Sequence, residues 1–425
     1  MAWRNIWRNP TRSWIVIGAI AIGIWAALFM SGFAIGMVRS YVQNAIANIV
    51  SHIQIHHPAY DKDYDVKYVI PNAAEVVRRL EADSSVEAYS ARTLVNGMIA
   101  SSKTARGVQV KAVEPAQEAS ISKLDEKIVE GDYLGERRNQ LLMGRKLAKK
   151  LQVKERSKVV LTFQDFDGEI TAAAFRIAGI FETGNDPFDE GHIFIRRSDL
   201  NRLLGAPPLS ADRLSQDGEG PAARLTSDAP AEEPAIHEIA ILLKDQQEVR
   251  EVTDQLAGAW PGLLVQTYRE VSPDLELYEG QIETVSIIYL TVIMLALIFG
   301  IINTMLMAVL ERVRELGMLM AIGMNKVKVF FMIVLETVML VAVGTPIGLL
   351  LGALTLRYLG SKGIDLSAFS DTMKMYGMSE VVYLEVDPVV YWQVAIAVAI
   401  TAVLASVYPA YKAIRLRPVE AIRKL

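Results

Sequence analysis

The sequence predicts an α-helical membrane protein with four transmembrane helices plus an α+β extracytoplasmic domain. Three observations carry this. Within 425 residues that are 52% apolar, the apolar residues are bunched into long uncharged runs, one near the start and three in the last third. Lys and Arg gather at the edges of those runs. Between the first run and the second lies a long polar stretch in which strand and helix periodicities alternate.

Residues 1–13 carry Trp3, Ile6 and Trp7 near one helical face, the pattern of a cytoplasmic interfacial elbow helix. Trp14 to Val38 has no charge over 25 residues. At about 1.5 Å per residue it outspans a hydrocarbon core of about 30 Å. The run is too long for a signal-peptide core and no small-residue cleavage site follows it, so 14–38 reads as an uncleaved first span. Arg4, Arg8 and Arg12 precede it and only Arg39 follows closely, which puts its start in the cytoplasm. The second span is predicted over 286–310, the third over 329–357 and the fourth over 389–408. The loop 311–328 holds Arg312, Arg314, Lys326 and Lys328, and the tail 409–425 is basic. The loop 358–388 leans acidic through Asp365, Asp371, Glu380, Glu385 and Asp387. Both termini and the 311–328 loop then face the cytoplasm, and 39–285 lies outside it.

Small residues recur inside the spans: Gly32 and Gly36, then Gly344, Gly348 and Gly352, then Ala395 and Ala399. Such spacing lets helix backbones approach closely, either within the chain or between chains. Glu336 is the one acid deep in a span, where a charge costs roughly 2.5–3.5 kcal/mol, so it needs a partner or water. In the 311–328 loop, Leu316, Met320 and Met324 fall on one helical stripe that a partner could hold.

In the polar stretch, His52–His56 alternates like a strand, Asn72 is placed to cap a helix over Ala73–Leu80, and Val86–Ser101 reads as strand with a turn at Asn96-Gly97. Val108–Val113 is a further strand. Far downstream the order returns as strand Ile239–Leu243, helix Gln247–Leu256 and strand Leu263–Thr267. Two β-α-β units thus bracket the domain and predict a split lobe, about 45–117 plus 236–272. The insert, about 118–205, predicts a second lobe: a helix near Gly144–Leu151, strands at Lys158–Phe163, Thr171–Phe181 and His192–Ile195, and a helix at Arg197–Leu204. The stretch 206–235 is rich in Pro, Asp, Glu, Ser and Gly and reads as a mobile surface loop.

The function classes narrow from here. There are no cysteines, so disulfides and thiol chemistry are excluded. The net charge of −4 gives no sign of a nucleic-acid partner. His52, His56 and His57 cluster, but no fourth zinc ligand accompanies them. Asp165, Asp167, Glu169 and the acids of 186–190 read as turn residues before catalytic carboxylates. No G-x-S-x-G or H-E-x-x-H pattern occurs, and the G-x-x-x-x-G-K-[ST] pattern is absent, so the chain does not bind a nucleotide by a P-loop.

One span, a large external domain, three more spans and a basic internal loop resemble the type VII ABC transporter permeases, the MacB/FtsX/Lol group. The most specific segment pairs Glu311-Arg312, Glu315-Leu316-Gly317, Ala321-Ile322-Gly323 and Glu336 with that group's pattern. Tyr408-Pro409-Ala410 with Pro418–Ala421, Gly179–Gly184 leading into Asp189, and the opening Ala2–Pro10 are similar to it as well. The resemblance implies a multi-pass protein of the bacterial inner membrane. Its external domain would be a MacB-like periplasmic core with porter and sabre lobes. A coupling helix (Glu311, Arg312, Arg314, Glu315, Leu316, Gly317, Met320, Ala321, Gly323, Met324) would dock on a separate cytoplasmic ABC ATPase dimer. ATP and Mg would sit on that partner, with no cofactor on this chain. A second permease, a copy or a paralogue, would complete the complex. The chain looks most like a lipoprotein-releasing Lol permease, with Trp25, Leu28, Phe29, Phe33 and Met37 meeting lipid or acylated substrate and a periplasmic carrier or adaptor receiving it. Export of a peptide, antibiotic or siderophore, and FtsX-like signalling to periplasmic enzymes, are the alternatives within the group.

Overall fold

The computed structural model describes residues 10–205 and 235–415. The expected elbow up to residue 9, the loop 206–234 and the tail from 416 lie outside the described residues. The chain divides into a hydrophilic unit (41–277 with 367–380) and a membrane unit (the remainder). Each is described by itself.

Helix α1 (Pro10–Ala45) ends in a π turn, Ile46–Val50. There follow β1 (Ile53–His56), α2 (Ala73–Ala82), β2 (Val86–Ala100), β3 (Ala105–Val113), α3 (Pro115–Ser122), β4 (Ile128–Gly131), β5 (Gln140–Gly144) and α4 (Arg145–Leu151). Next come β6 (Lys158–Gln164), β7 (Ile170–Phe181), α5 (Asp186–Gly191), β8 (His192–Arg196), α6 (Arg197–Leu204), β9 (Glu238–Leu243), α7 (Val249–Ala259) and β10 (Leu264–Thr267).

The first lobe has the strand order β10-β1-β9-β2, all antiparallel, with α2 and α7 as crossovers. This is the split β-α-β arrangement that the two flanking units predict. Ile53 and Ile55 are fully buried because β1 is paired on both edges. α2 begins after Asn72, but the cap differs from the expectation. Asn72 is left-handed (φ 52°), its side chain makes no capping bond, and its carbonyl accepts from the amides of Glu75 and Val76.

β2 joins the lobes. Its first half pairs with β9; its second half pairs with β3 on one edge and β6 on the other. The expected turn at Asn96-Gly97 is absent: both residues pair in the ladder with Gln109 and Val108. Gly97 serves close approach instead, since a Cβ there would lie 2.6 Å from the Thr162 carbonyl oxygen on β6. The lobe boundary shifts too. β3 runs parallel to β8, and Val108, Val110 and Ala112 share a core with Leu141, Phe175, Ile193 and Ile195. β3 therefore belongs to the second lobe. Ala235, assigned to the loop, is buried in the same core.

Where β2, β3, β9 and α3 meet, four charges are sealed in. Arg92 donates to Glu118 (2.8 Å to each oxygen) and to Glu238 (2.5 Å), and Ser90 donates to Glu118 (2.9 Å). Lys111 lies buried beside them. Burial works to raise the Glu238 carboxyl, but Lys111, Arg92 and His56 outweigh it and hold the pKa at about 2. The cluster is neutral overall, which is the condition for charge in such a place.

The membrane unit adds α8 (Pro273–Glu311), α9 (Val313–Ala321), α10 (Lys326–Lys362), β11 (Ile364–Asp365), β12 (Val381–Val382) and α12 (Pro388–Ile414); α11 (Ser370–Met375), between the two short strands, belongs to the hydrophilic unit. Among the described residues four helices (α1, α8, α10 and α12) are long and apolar enough to cross a membrane. All outrun the predicted spans: α8 starts at 273 rather than 286, and α12 continues through Pro409 to Ile414. The Gly344, Gly348 and Gly352 stripe lies against α1, where added Cβ atoms would meet Ile20, Ile24 with the Ala21 backbone, and Leu28. Gly32 faces Leu356 and Val386, and Gly36 faces the Tyr383 carbonyl. These glycines thus pack this chain on itself. Ala395 and Ala399 differ: α12 buries Val394, Val398, Ala402 and Ala405, while Ala399 is exposed.

Candidate functional site

The basic loop folds into a short helix framed by two turns. α8 stops at Glu311 because Arg312 leaves helical geometry (φ −103°, ψ 16°), and α9 begins at Val313. α9 ends where Gly323 turns left-handed (φ +101°). The Met324 amide then bonds the Leu319 carbonyl and the Gly323 amide bonds that of Met320, the paired bonds of a Schellman cap. Asn325 caps α10 by accepting from the Val327 amide at 3.0 Å.

The expected stripe exists but faces inward. Leu316 is 3% exposed, and Met320 and Met324 pack against the apolar core of the membrane unit. Gly317 is buried with them. Leu316 is covered by the chain itself, and Met320 and Met324 are half-buried against the same core. The outward face carries Arg314, Met318, Ala321, Ile322 and Gly323, with Glu311 exposed nearby. Ile322 is 86% exposed and Met318 51%.

Arg312 is the joint. Its Nη1 donates to both oxygens of Glu336, at 3.2 and 3.3 Å, and its Nε donates to Glu315 at 3.2 Å. One guanidinium thus ties the end of α8 to α9 and α10. Glu336 finds the partner its depth demands.

The residues expected to meet lipid divide. Trp25, Phe29 and Phe33 form a half-buried ladder with ring centroids 5.6 and 6.4 Å apart. Trp25 Nε1 donates to the Thr355 hydroxyl at 3.0 Å, which anchors the ladder to α10. Met37 is half-buried. Leu28 is fully buried on Gly352 and cannot meet lipid. A groove of about 420 Å³ opens elsewhere, between Val16, Ile22, Gly23 and Ala26 of α1 and Ile293, Leu297, Gly300 and Thr304 of α8. The signal for it was available in the small residues Gly23, Ala26, Ala296 and Gly300, which leave hollows when helices pair.

The other candidates have structural occupations. His52 accepts from the Leu243 amide at 2.9 Å, His56 contacts the His237 carbonyl and Gln54 at 3.0 Å each, and His57 accepts from the Ala59 amide at 3.1 Å. Among the described residues no three His, Asp or Glu side chains converge as metal ligands do. Asp165 accepts from the Asp167 and Glu169 amides and the Thr171 hydroxyl, the bonding of a turn. Asp189 is buried. Desolvation pushes its carboxyl up to about 7, although Thr183 donates to it through its amide and hydroxyl; Glu182 and Asp186 add to the rise.

A family model for the MacB-like periplasmic core domain matches residues 13–259, and one for the FtsX-like permease C-terminal region matches 287–418. The chain belongs to this family, the MacB/FtsX/Lol group of ABC transporter permeases. It is 22% identical over 328 residues to the lipoprotein-releasing system transmembrane protein LolC of Xylella fastidiosa, which covers 74% of this chain and 72% of that one. It is 32% identical over 131 residues to the macrolide export ATP-binding/permease protein MacB of Nitrobacter winogradskyi, covering 29% of this chain and 17% of that one. Among solved structures, the periplasmic region of MacB from Actinobacillus actinomycetemcomitans covers 56% of this chain and 97% of its own length, at 11% identity and a TM-score of 0.33. The extracellular domain of YknZ from Gram-positive bacteria covers 51% of this chain at 9% identity and a TM-score of 0.30.

Proposed function

We propose that this chain is the permease subunit of an inner-membrane transporter that couples ATP hydrolysis on a separate ATPase to the extraction of lipoproteins or lipids. Both termini and α9 face the cytoplasm, and the hydrophilic unit lies in the periplasm. The observation that carries the reading is the division of α9 into two faces. One is held by the chain's own core and by Arg312. The other presents Met318 and Ile322 to solvent between cations. An isoleucine that exposed fits an apolar slot on a partner, with Arg314 answering acidic residues at its rim. The α1–α8 groove is the counterpart for substrate, because it is lined by apolar side chains and opens along two spans. The relative of the lipoprotein-releasing system supports the choice of cargo. The MacB relative supports a second reading, export through a periplasmic adaptor.

The test uses the chain produced with its cognate ATPase. Ile322→Asp is expected to abolish co-purification of the ATPase while leaving thermal unfolding of the chain unchanged, since the side chain is 86% exposed. Undiminished assembly would overturn the coupling role of this face. Photocrosslinkers at Ile22 and Ile293 in cells are expected to capture acylated proteins; capture of a soluble drug or peptide instead would favour export.

A further inference from the structure

The chain crosses between its two units four times: at 40–41 and 277–278 inside long helices, and at 366–367 and 380–381 on either side of the α10–α12 connector. The connector's middle, Ser367–Glu380, groups with the hydrophilic unit, whereas β11 and β12 at its ends group with the membrane unit. Within the hydrophilic unit its attachment is specific. Lys374 Nζ donates to Glu182 at 2.9 Å, and Arg145 holds the other Glu182 oxygen at 2.6 Å. Glu380 pairs with Lys374 at 3.1 Å and accepts from Ser370 at 2.6 Å, which stiffens the segment across its own base. The tip is fitted closely. Asn44 donates to the Gly377 carbonyl at 2.8 Å, and Gly377 is left-handed (φ +68°) with room for a Cβ only 2.6 Å from Asn185 Nδ2. Asn185 itself caps α5 by accepting from the Phe188 amide at 3.1 Å. Lys374 and Glu182 are 24% and 21% exposed, shielded enough that the pair is more than a surface ion pair.

We propose that Ser367–Glu380 is a latch, held by the Lys374–Glu182–Arg145 triad and the Gly377 seat, through which the connector of the third and fourth spans is fastened to the exit of β7 and the start of α5. Resting on the transmission reading above, its role is to carry displacement of α10 and α12 to the second lobe through the connector, in addition to the continuous helices α1 and α8. Arg145 and Glu182 position Lys374; none of the three needs to touch cargo.

The experiment uses the full chain with its ATPase in lipid nanodiscs and follows amide exchange of 367–380 and 182–191. Without nucleotide, Lys374→Met and, separately, Gly377→Ala are expected to speed exchange of 367–380 about tenfold, the scale of one charge-assisted hydrogen bond, and Lys374→Arg to restore most of the protection. Trapping ATP on the ATPase is expected to change exchange at 182–191 in the wild type and not in Lys374→Met, with basal ATP turnover alike in both. Equal exchange in wild type and both variants without nucleotide would overturn the latch. A nucleotide response at 182–191 that persists in Lys374→Met would overturn its role in transmission. Failure of the ATPase to bind would count against the coupling reading alone, and the nucleotide-free comparison would still decide whether the latch exists.

Discussion

The two units each bury an ion network, and they do so differently. In the hydrophilic unit, Arg92 is 2% exposed and bonded to two acids, and Lys111 completes a neutral set at the junction of the lobes. In the membrane unit, Arg312 is 18% exposed and holds Glu336 and Glu315 at a bend between helices. The first network has no slack: every atom lies on strands or on a helix packed against them. The second ties together three elements at a turn, and each bond is near the long end of the normal range. The former locks a shape, and the latter is built as a joint that can be worked. The packing around them follows suit. Around Arg92 the neighbours are paired strands. Around Arg312 they are single helices held by side chains, and in lipid such helices gain little from apolar burial and depend on fit.

That contrast is broken first at Arg92. Arg92→Met leaves Glu118 and Glu238 buried without the guanidinium that bonds both, with Lys111 and His56 still beside them, and is expected to cost about 3–5 kcal/mol. Thermal unfolding of the purified chain would show it as a large loss for the hydrophilic unit. A shift within a degree or two would mean the cluster is no lock. Asp189 gives the next largest effect. Its folded pKa of about 7 stands above the ordinary 3.8. Between about pH 4 and 7 the unfolded chain has lost this proton while the folded chain keeps it, so stability falls as pH rises through that window and is flat above it. The loss is at most about 4 kcal/mol, and Asp189→Asn should remove it. Denaturation midpoints of the two proteins compared from pH 4 to 8 give the measurement; parallel profiles would refute the raised pKa.

In the membrane unit Gly348→Ala is expected to cost about 1–3 kcal/mol, because the new methyl meets the Ala21 backbone at 2.9 and 3.0 Å and the helices must separate. Gly352→Ala meets the flexible end of Leu28 and should cost less. Unfolding in mixed micelles ranks the two, and a reversed rank would refute the packing account. The smallest effect belongs to the joint. Glu336→Gln keeps a hydrogen-bond acceptor for Arg312 and is expected to lower stability by about 1 kcal/mol while speeding amide exchange across α9. Exchange that stays unchanged would show that Arg312 does not restrain this helix.

Much of the fold was legible because its causes are local. Charge-free runs and their basic edges mark helices that must bury backbone polar groups in lipid. The β-α-β patterns at the two ends of the domain gave the split lobe. The turn expected at Asn96-Gly97 failed because a dipeptide's turn preference is weak beside two strands competing for the edges of β2. The site was half legible. The stripe of Leu316, Met320 and Met324 was identified by its period, but period alone gives a face and not its direction. Leu28, assigned to lipid by the resemblance alone, is buried on Gly352, a contact that only the packing of α10 on α1 creates. The acidic reading of 358–388 gave no hint that Lys374 would seat on Glu182, since those residues are far apart in sequence and each is ordinary by itself.

Composition, periodicity and charge placement by themselves determined the spans, the bend at 311–328 and the two-part domain, because each is the response of a short segment to water or lipid. Which side of each helix is covered, which acid answers Arg312 and where the connector is fastened were decided by tertiary structure alone. Those outcomes depend on what distant segments bring to the same place, and a single stretch of sequence carries no information about its neighbours in space.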